Sequence, residues 1–436
     1  MKFNYENISK VPEKNINKAF KKLSKYREHL KEASENPDYP SDEGSLYCPF
    51  DKRILSQVLT AIENKKTTTL QYVVIVGIGG SNLGTAAVYK ALTGSLGHLV
   101  DRLPKLIFLD TVAEEKMTVV TKVLNNLQSQ DDFIIISISK SGGTTETIAN
   151  TEILQNSLLE HFGSVRERMV VISSEGSRMW EVSKSQGIEL VSIPSTVGGR
   201  YSVLTAVGLL PLVLARFDVE ELLKGARQAV EDGLADNPDT NHSLTSAALN
   251  FYHSKKKRNI HSSFFFSTEL RTLGMWYRQL MGESIGKKLN LDGNEVRNGI
   301  TPVVSIGSTD LHSMGQLYFG GPNDKFTNII TVTRGGYHKV PYNALLPGLV
   351  KNIEGKTLNE IMEAVAKGTI ETYRKLELPF VHIELENMIE YEIGYYLQFR
   401  MMEMMYLAKL MNVNAFDQPQ VELYKEETRK VLENGV

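Results

Sequence analysis

The chain has 436 residues, too many for one ordinary core and suited to two or three domains, with two as the working number. Hydrophobic residues at 42% and charged residues at 23% match a soluble globular protein, and a formal net charge of −2 supplies no field to recruit nucleic acid or anionic membrane. Cys48 is the only cysteine, which excludes an intrachain disulfide framework and suits a reducing compartment.

Residues 1–50 are rich in Lys and Glu and read as a helical extension covering a larger body. They lack the apolar core of a secretion signal, and no apolar run in the chain is long enough to span a bilayer, so a cytoplasmic protein is expected. From Tyr72, strand-like runs alternate with helical ones: "YVVIVGIGG", "KLIFLD", "DFIIISIS", "RMVVISS" and "IELVSIP". Such alternation predicts parallel βαβ units and an α/β fold. The first run leads into "VGIGGSNLG", Val76 to Gly84. Asn82 stands where a dinucleotide fingerprint needs its third glycine, and Thr85 and Ala86 replace the Lys and Ser/Thr of a P-loop. What survives is a glycine turn that lets a ligand touch the backbone near Gly80 and Ser81.

The run ending at Ser139 opens into "SKSGGTTET", with five hydroxyls, two adjacent glycines and one lysine in nine residues. The following "TETIANTEILQNSLLEHF" has a helical period, so the cluster lies on a strand-to-helix turn. Such a turn aims free N–H groups outward and the helix dipole favours an anion there. Hydroxyls of Ser139, Ser141 and Thr144 add further donors, and a phosphate is the natural guest. A plain polar loop with an N-cap is the other reading of this stretch alone.

Further on, "STVGGRYSVLTAVGLLPL" sets Arg200 behind two glycines and ahead of an apolar helix, either a surface ion-pair partner or a guanidinium fixed in a pocket for an oxyanion. "ADNPDTNHS", Ala235 to Ser243, is a polar break and a candidate joint between lobes. The basic run Lys255 to Arg258 reads as solvated surface before a second strand series, "IHSSFFFS", "TPVVSIGS" and "NIITVTR". "QLMGESIGKKLN" places Glu283 after a glycine, and "GSTDLHSMGQ" places His312 in a turn after a strand; each could be structural on its own. Residues 388–411 read as one long apolar helix whose methionines are packing or subunit interface. Asp417 and Pro419 suit the opening of a last helix that carries Lys425 beyond Gln418. The nine histidines form no H-x-H or H-E-x-x-H group, so no metal and no cofactor is expected. Carboxylate, imidazole, ammonium, guanidinium and a phosphate loop together suit proton shuffling on a phosphorylated small molecule.

Taken in order, "GIGGSNLG", "SKSGGTTE", "GGRYS", "GESIGK", "TDLHSMGQ" and "FDQPQVELYK" resemble the glucose-6-phosphate isomerase family from about Tyr72 to Lys425. The resemblance implies two sugar-isomerase domains, each a parallel sheet flanked by helices, with helical N- and C-terminal extensions. The expected division is 1–50, 51–234, 235–413 and 414–436. It also implies metal-free isomerisation of glucose 6-phosphate and fructose 6-phosphate by a homodimer. On this resemblance Ser139, Lys140, Ser141 and Thr144 match the phosphate loop, and Glu283 the base acting between carbons 2 and 1. Arg200 matches the cation for the developing oxyanion, and Gln418 a substrate-binding amide. His312, given by the neighbouring subunit, and Lys425 match the ring-opening groups, and Glu146 the carboxylate partner of that histidine. Three positions depart from the family: Gly143 where many members have Thr, Ile285 where many have a polar residue, and Gln420 in place of Gly. Two other readings compete. A sugar-phosphate sensor would need the loop but leave Glu283, His312 and Lys425 unexplained, and an isomerase also taking mannose 6-phosphate would differ only in pocket shape.

Overall fold

The computed structural model describes residues 1–63, 65–100 and 102–435. The chain starts with a three-residue strand, β1 (Lys2–Asn4), before the helices α1 (Glu13–Lys22) and α2 (Ser24–Glu35) that the N-terminal composition predicts. After α3 (Lys52–Glu63) comes the first alternating series: β2 (Tyr72–Val76), α4 (Leu83–Thr93), β3 (Lys105–Leu109), α5 (Glu114–Asn125), β4 (Phe133–Ile138) and α6 (Thr145–Phe162). It continues with β5 (Met169–Ser173), α7 (Arg178–Ser185) and β6 (Glu189–Ser192). These strands pair in parallel in the order β3-β2-β4-β5-β6. Strands β4 and β5 are buried along their whole length, which is why they are continuous apolar runs rather than alternating ones. The strand order reverses between β2 and β4, so the turns leaving these two strands open side by side at a switch point, where sheets of this kind take ligands.

Helices α8 (Ala206–Leu214), α9 (Val219–Gly233) and α10 (His242–Lys255) lead into the second series, and the polar break before α10 supplies its cap, with Leu244 N donating to Asn241 Oδ1. Then follow β7 (Ile260–Phe265), α11 (Arg271–Ile285), a hairpin of β8 (Lys287–Leu289) and β9 (Glu295–Asn298), and β10 (Thr301–Ile306). Two short helices, α12 (Thr309–Ser313) and α13 (Gly315–Gly320), precede β11 (Lys325–Val332), α14 (Leu358–Lys375) and β12 (Phe380–Leu385). The second sheet runs β1-β12-β11-β7-β10, parallel except for β1, which pairs antiparallel with β12. The N-terminal extension is therefore not wholly helical: its first residues complete a sheet whose other strands lie more than 250 residues away.

Helix α15 (Glu390–Met411) is the axis of the molecule, buried over nearly all its length against α9, α10 and α11. Its methionines Met401, Met402, Met404 and Met405 have no exposed surface and pack the core. At the crossing with α9 a Cβ on Gly394 would meet the Leu222 carbonyl oxygen at 1.9 Å, so the two backbones touch. The last helix, α16 (Pro419–Asn434), differs in having no buried residue. Among the described residues no helix is long and apolar enough to cross a membrane.

Candidate active site

The turn between β4 and α6 has the donors that an anion would need. Ser139 is buried at the strand end, and its hydroxyl lies 2.8 Å from that of Thr144 while accepting from Gly142 N at 3.1 Å. Thr144 is the N-cap residue of α6, yet its side chain makes no cap hydrogen bond because it is turned to Ser139. The first amides of an 18-residue helix are thus left without a side-chain cap, facing out of the turn. Gly142 has φ +71°, and a Cβ there would lie 2.8 Å from Ser177 Oγ, so only glycine closes the turn. Ser141 is exposed and Lys140 half-buried. Burial lowers the pKa of Lys140, opposed by Asp42 and reinforced by Arg200, which marks its ammonium as a cation short of water and close to a second cation. Glu146, in the first turn of α6, makes no polar side-chain contact among the described residues.

The turn after β2 sits beside it. A Cβ on Gly80 would lie 2.2 Å from the carbonyl carbon of Gly199 and 2.6 Å from Arg200 N. The close approach that the glycine turn permits is therefore first to the chain's own backbone, and it brings Arg200 to the switch point.

Arg200 is buried, and each of its guanidinium nitrogens is engaged. Nε donates to Ser284 Oγ at 3.0 Å, and Nη1 donates to Glu283 Oε2 at 3.1 Å and Gln418 Oε1 at 2.6 Å. Nη2 donates to the carbonyls of Ala415 at 2.5 Å and Asp417 at 3.3 Å. Glu283 is held at its other oxygen by Gln279 Nε2 at 3.0 Å, one turn back along α11. The Arg200 side chain is 2% exposed and that of Glu283 31%, so the carboxylate reaches solvent while the guanidinium paired with it does not. Tyr201 steadies the floor through its hydroxyl, 2.9 Å from Ser284 Oγ. A charge-assisted fork aimed at an accessible carboxylate can orient a general base and neutralise an oxyanion forming beside it.

Arg200, Glu283 and Gln418 are thus brought together from parts of the chain 83 and 218 residues apart. His312, on α12, is exposed and makes no polar side-chain contact among the described residues. Lys425, on α16, pairs with Glu422 at 2.7 Å and reaches none of the three. Asp417 does not cap α16: the N-cap is Gln418, with Pro419 at the first helical position, and the Asp417 side chain instead meets Lys287. Sequence reasoning passed over Lys287, Gln279 and Ser284, although all three lie within the quoted stretch that carries Glu283.

The chain matches the family model of phosphoglucose isomerase over residues 52–435. It is 32% identical over 400 residues to a glucose-6-phosphate isomerase of Carboxydothermus hydrogenoformans, covering 89% of this chain and 84% of that one. A glucose-6-phosphate isomerase of Methanocaldococcus jannaschii is 31% identical, covering 83% of this chain and 84% of its own. Among solved structures, a hypothetical protein of Thermus thermophilus superposes with a TM-score of 0.86 at 30% identity and 99% coverage of both chains. A glucose-6-phosphate isomerase of Chlamydia trachomatis shares the fold at a TM-score of 0.79 and 20% identity, over 98% of this chain and 87% of the other.

Proposed function

The chain belongs to the phosphoglucose isomerase family, and on that premise we propose that it interconverts glucose 6-phosphate and fructose 6-phosphate through a cis-enediolate, without a metal. The observation that carries this reading is the Arg200–Glu283–Gln418 group beside an open anion turn. The turn Ser139–Thr144 takes the phosphate with Lys140, while the backbone at Gly80 and Ser81 lines the sugar path. Glu283 takes the proton from carbon 2 of the open-chain aldose, and Arg200 stabilises the negative oxygen at carbon 1. The proton of the carbon-2 hydroxyl passes to that oxygen, Glu283 returns its own proton to carbon 1, and the ketose results. Gln418 holds the sugar hydroxyls in register. Ring opening falls to Lys425 and to the partner subunit's His312, oriented by Glu146.

The homodimer and a cytoplasmic setting belong to the same proposal. A second copy of the chain would cover the apolar side chains left bare here: Leu423, Tyr424, Val431 and Leu432 on α16, and Tyr337, Leu345 and Leu346 between β11 and α14. The test is conversion of fructose 6-phosphate by purified protein in excess chelator. Rapid conversion is expected; a protein that binds the sugar phosphate and does not turn it over would overturn the reading. The shared site is tested by mixing Glu283→Gln and His312→Ala proteins under subunit exchange. Random pairing restores roughly a quarter of wild-type activity if each site takes one residue from each copy, and none if His312 acts within its own chain.

A further inference from the structure

We propose that Lys287 is a positioning residue of this site: with Asp417 it latches the chain segment that holds Gln418 beside the base and from which α16, the helix of Lys425, begins. The inference rests on the isomerase reading above and adds a part that the roles given there do not contain. Helix α16 has no buried residue, so within the chain its place is set by the segment 415–418 that precedes it. Two cations from different elements hold that segment. Arg200 takes the carbonyls of Ala415 and Asp417 and the amide of Gln418. Lys287 donates to the same Asp417 carbonyl and, at 2.8 Å, to Asp417 Oδ1.

The two ends of the latch are differently placed. The Lys287 side chain is 5% exposed, at the start of β8, one residue past Gly286, which closes α11. It therefore rides on the same rigid piece as Glu283. Asp417 is 49% exposed and sits on the segment to be held. The ammonium has shed most of its water, and burial accordingly lowers its pKa against the opposing pull of Asp417. An ammonium so placed has three donors to satisfy, and Asp417 takes two bonds from it.

The consequence concerns Arg200. Its Nη2 already lies 3.3 Å from the Asp417 carbonyl, so an Asp417 carboxylate released from Lys287 is within a side-chain rotation of the guanidinium. A freed carboxylate would compete with Glu283 for the fork and draw Gln418 out of register. Lys287 thus keeps the guanidinium aimed at the base and fixes where α16 starts.

Wild-type conversion of fructose 6-phosphate is measured first, because its absence sinks the isomerase reading itself. With an active wild type, Lys287→Met should lower kcat about tenfold or more and weaken inhibition by an open-chain five-carbon sugar-acid phosphate by a similar factor. Inhibition by inorganic phosphate, which needs only the Ser139–Thr144 turn, should stay within about twofold. Lys287→Arg should retain most of the activity. Adding Asp417→Asn to Lys287→Met removes the competing carboxylate, and the double variant should regain several-fold of the lost kcat. A Lys287→Met enzyme with wild-type kcat and analogue inhibition, or a double variant no better than the single one, overturns the latch alone. Should Lys287→Met fail to fold, Asp417→Asn by itself carries the test. It should weaken analogue inhibition a few-fold at unchanged phosphate inhibition, and equal inhibition by both would overturn the proposal.

Discussion

Two buried arginines, Arg200 and Arg400, both meet helix α11 and differ in what surrounds their charge. Arg400, on α15, pairs with Glu403 at 2.9 Å with both side chains fully buried. Its Nη2 donates to Asn328 on β11, and its plane lies against Tyr277, Tyr396 and Phe399. Glu403 accepts in turn from Ser246 and Asn250 on α10 and from Tyr277 on α11. Every partner there sits on a helix or strand. Arg200 instead has three of its acceptors on the loop 415–418, and its carboxylate partner is open to solvent. Helix α11 joins the two centres, with Tyr277 bonded to Glu403 beside Arg400, and Glu283 and Ser284 bonded to Arg200. Burial alone does not mark function. What singles out Arg200 as the candidate is a buried charge whose partner faces water and whose other bonds run to a loop.

The largest way to sharpen this contrast is Glu283→Gln. It keeps the size and the bond to Arg200 but removes the base, so kcat should fall by roughly 10³-fold or more while the denaturation midpoint stays near wild type. Full activity in this variant would dismiss Glu283 as the base. Arg400→Met should do the reverse. It leaves the buried Glu403 carboxylate without its cation, costing about 3–5 kcal/mol in stability by denaturant titration, with kcat of the folded protein within about twofold. Loss of turnover at unchanged stability in that variant would erase the distinction.

The same contrast explains what could be read from sequence. Strands β2, β4 and β5 were legible because near-complete burial writes them as short apolar runs, β7 through the phenylalanines that end it, and α6 because its period and flanking hydroxyls mark its start. Strand β12, "FVHIEL", was missed because polar His382 and Glu384 interrupt the run. Strand β1 has three residues and owes its conformation to pairing with β12, which nothing local announces. Arg200, Glu283 and Gln418, which the fold brings together, each lie in the ordered motifs that carry the family resemblance. The Lys287–Asp417 contact was not, because the two are 130 residues apart and an ion pair leaves no periodicity. The Arg400 centre was invisible for a related reason: a charged pair inside "YYLQFRMMEMMY" reads as interruption of an apolar helix, not as its anchor.

Acid offers a smaller test of the core. The His253 ring stacks on Phe326 at 4.2 Å with Nε2 2.9 Å from the Ser9 carbonyl oxygen, and burial pushes its pKa down to about 4. Burial, aided by Arg400, holds His261 well below its usual value too. Unfolded imidazoles take up a proton at about pH 6.5 that the folded ones refuse, so the contribution is fully present above that pH. It is lost as pH falls from about 6.5 towards 4, at up to about 1.4 kcal/mol per pH unit for each group. Denaturant titrations across that window should show the loss, and His253→Gln should flatten it. An unchanged slope in the variant would mean that His253 is not one of the groups taking up protons.

The smallest effect is expected at the anion turn, where two adjacent glycines are not equivalent. Gly142 is locked by its positive φ and by Ser177 and Met179 against any Cβ, so Gly142→Ala should distort the turn and weaken phosphate inhibition. Gly143 is exposed, has no atom within 4 Å of an added Cβ, and lacks the positive φ of its neighbour. Gly143→Thr should therefore leave stability within about 0.5 kcal/mol, or raise it slightly by restricting the unfolded chain. Its new hydroxyl would stand at the mouth of the turn, where it should change inorganic-phosphate inhibition by no more than about twofold. A tenfold loss of turnover at Gly143 would mean that the substrate presses on the turn from the solvent side. In that case the working end of the molecule would be as closely packed around its ligand as the Arg400 centre is around its glutamate.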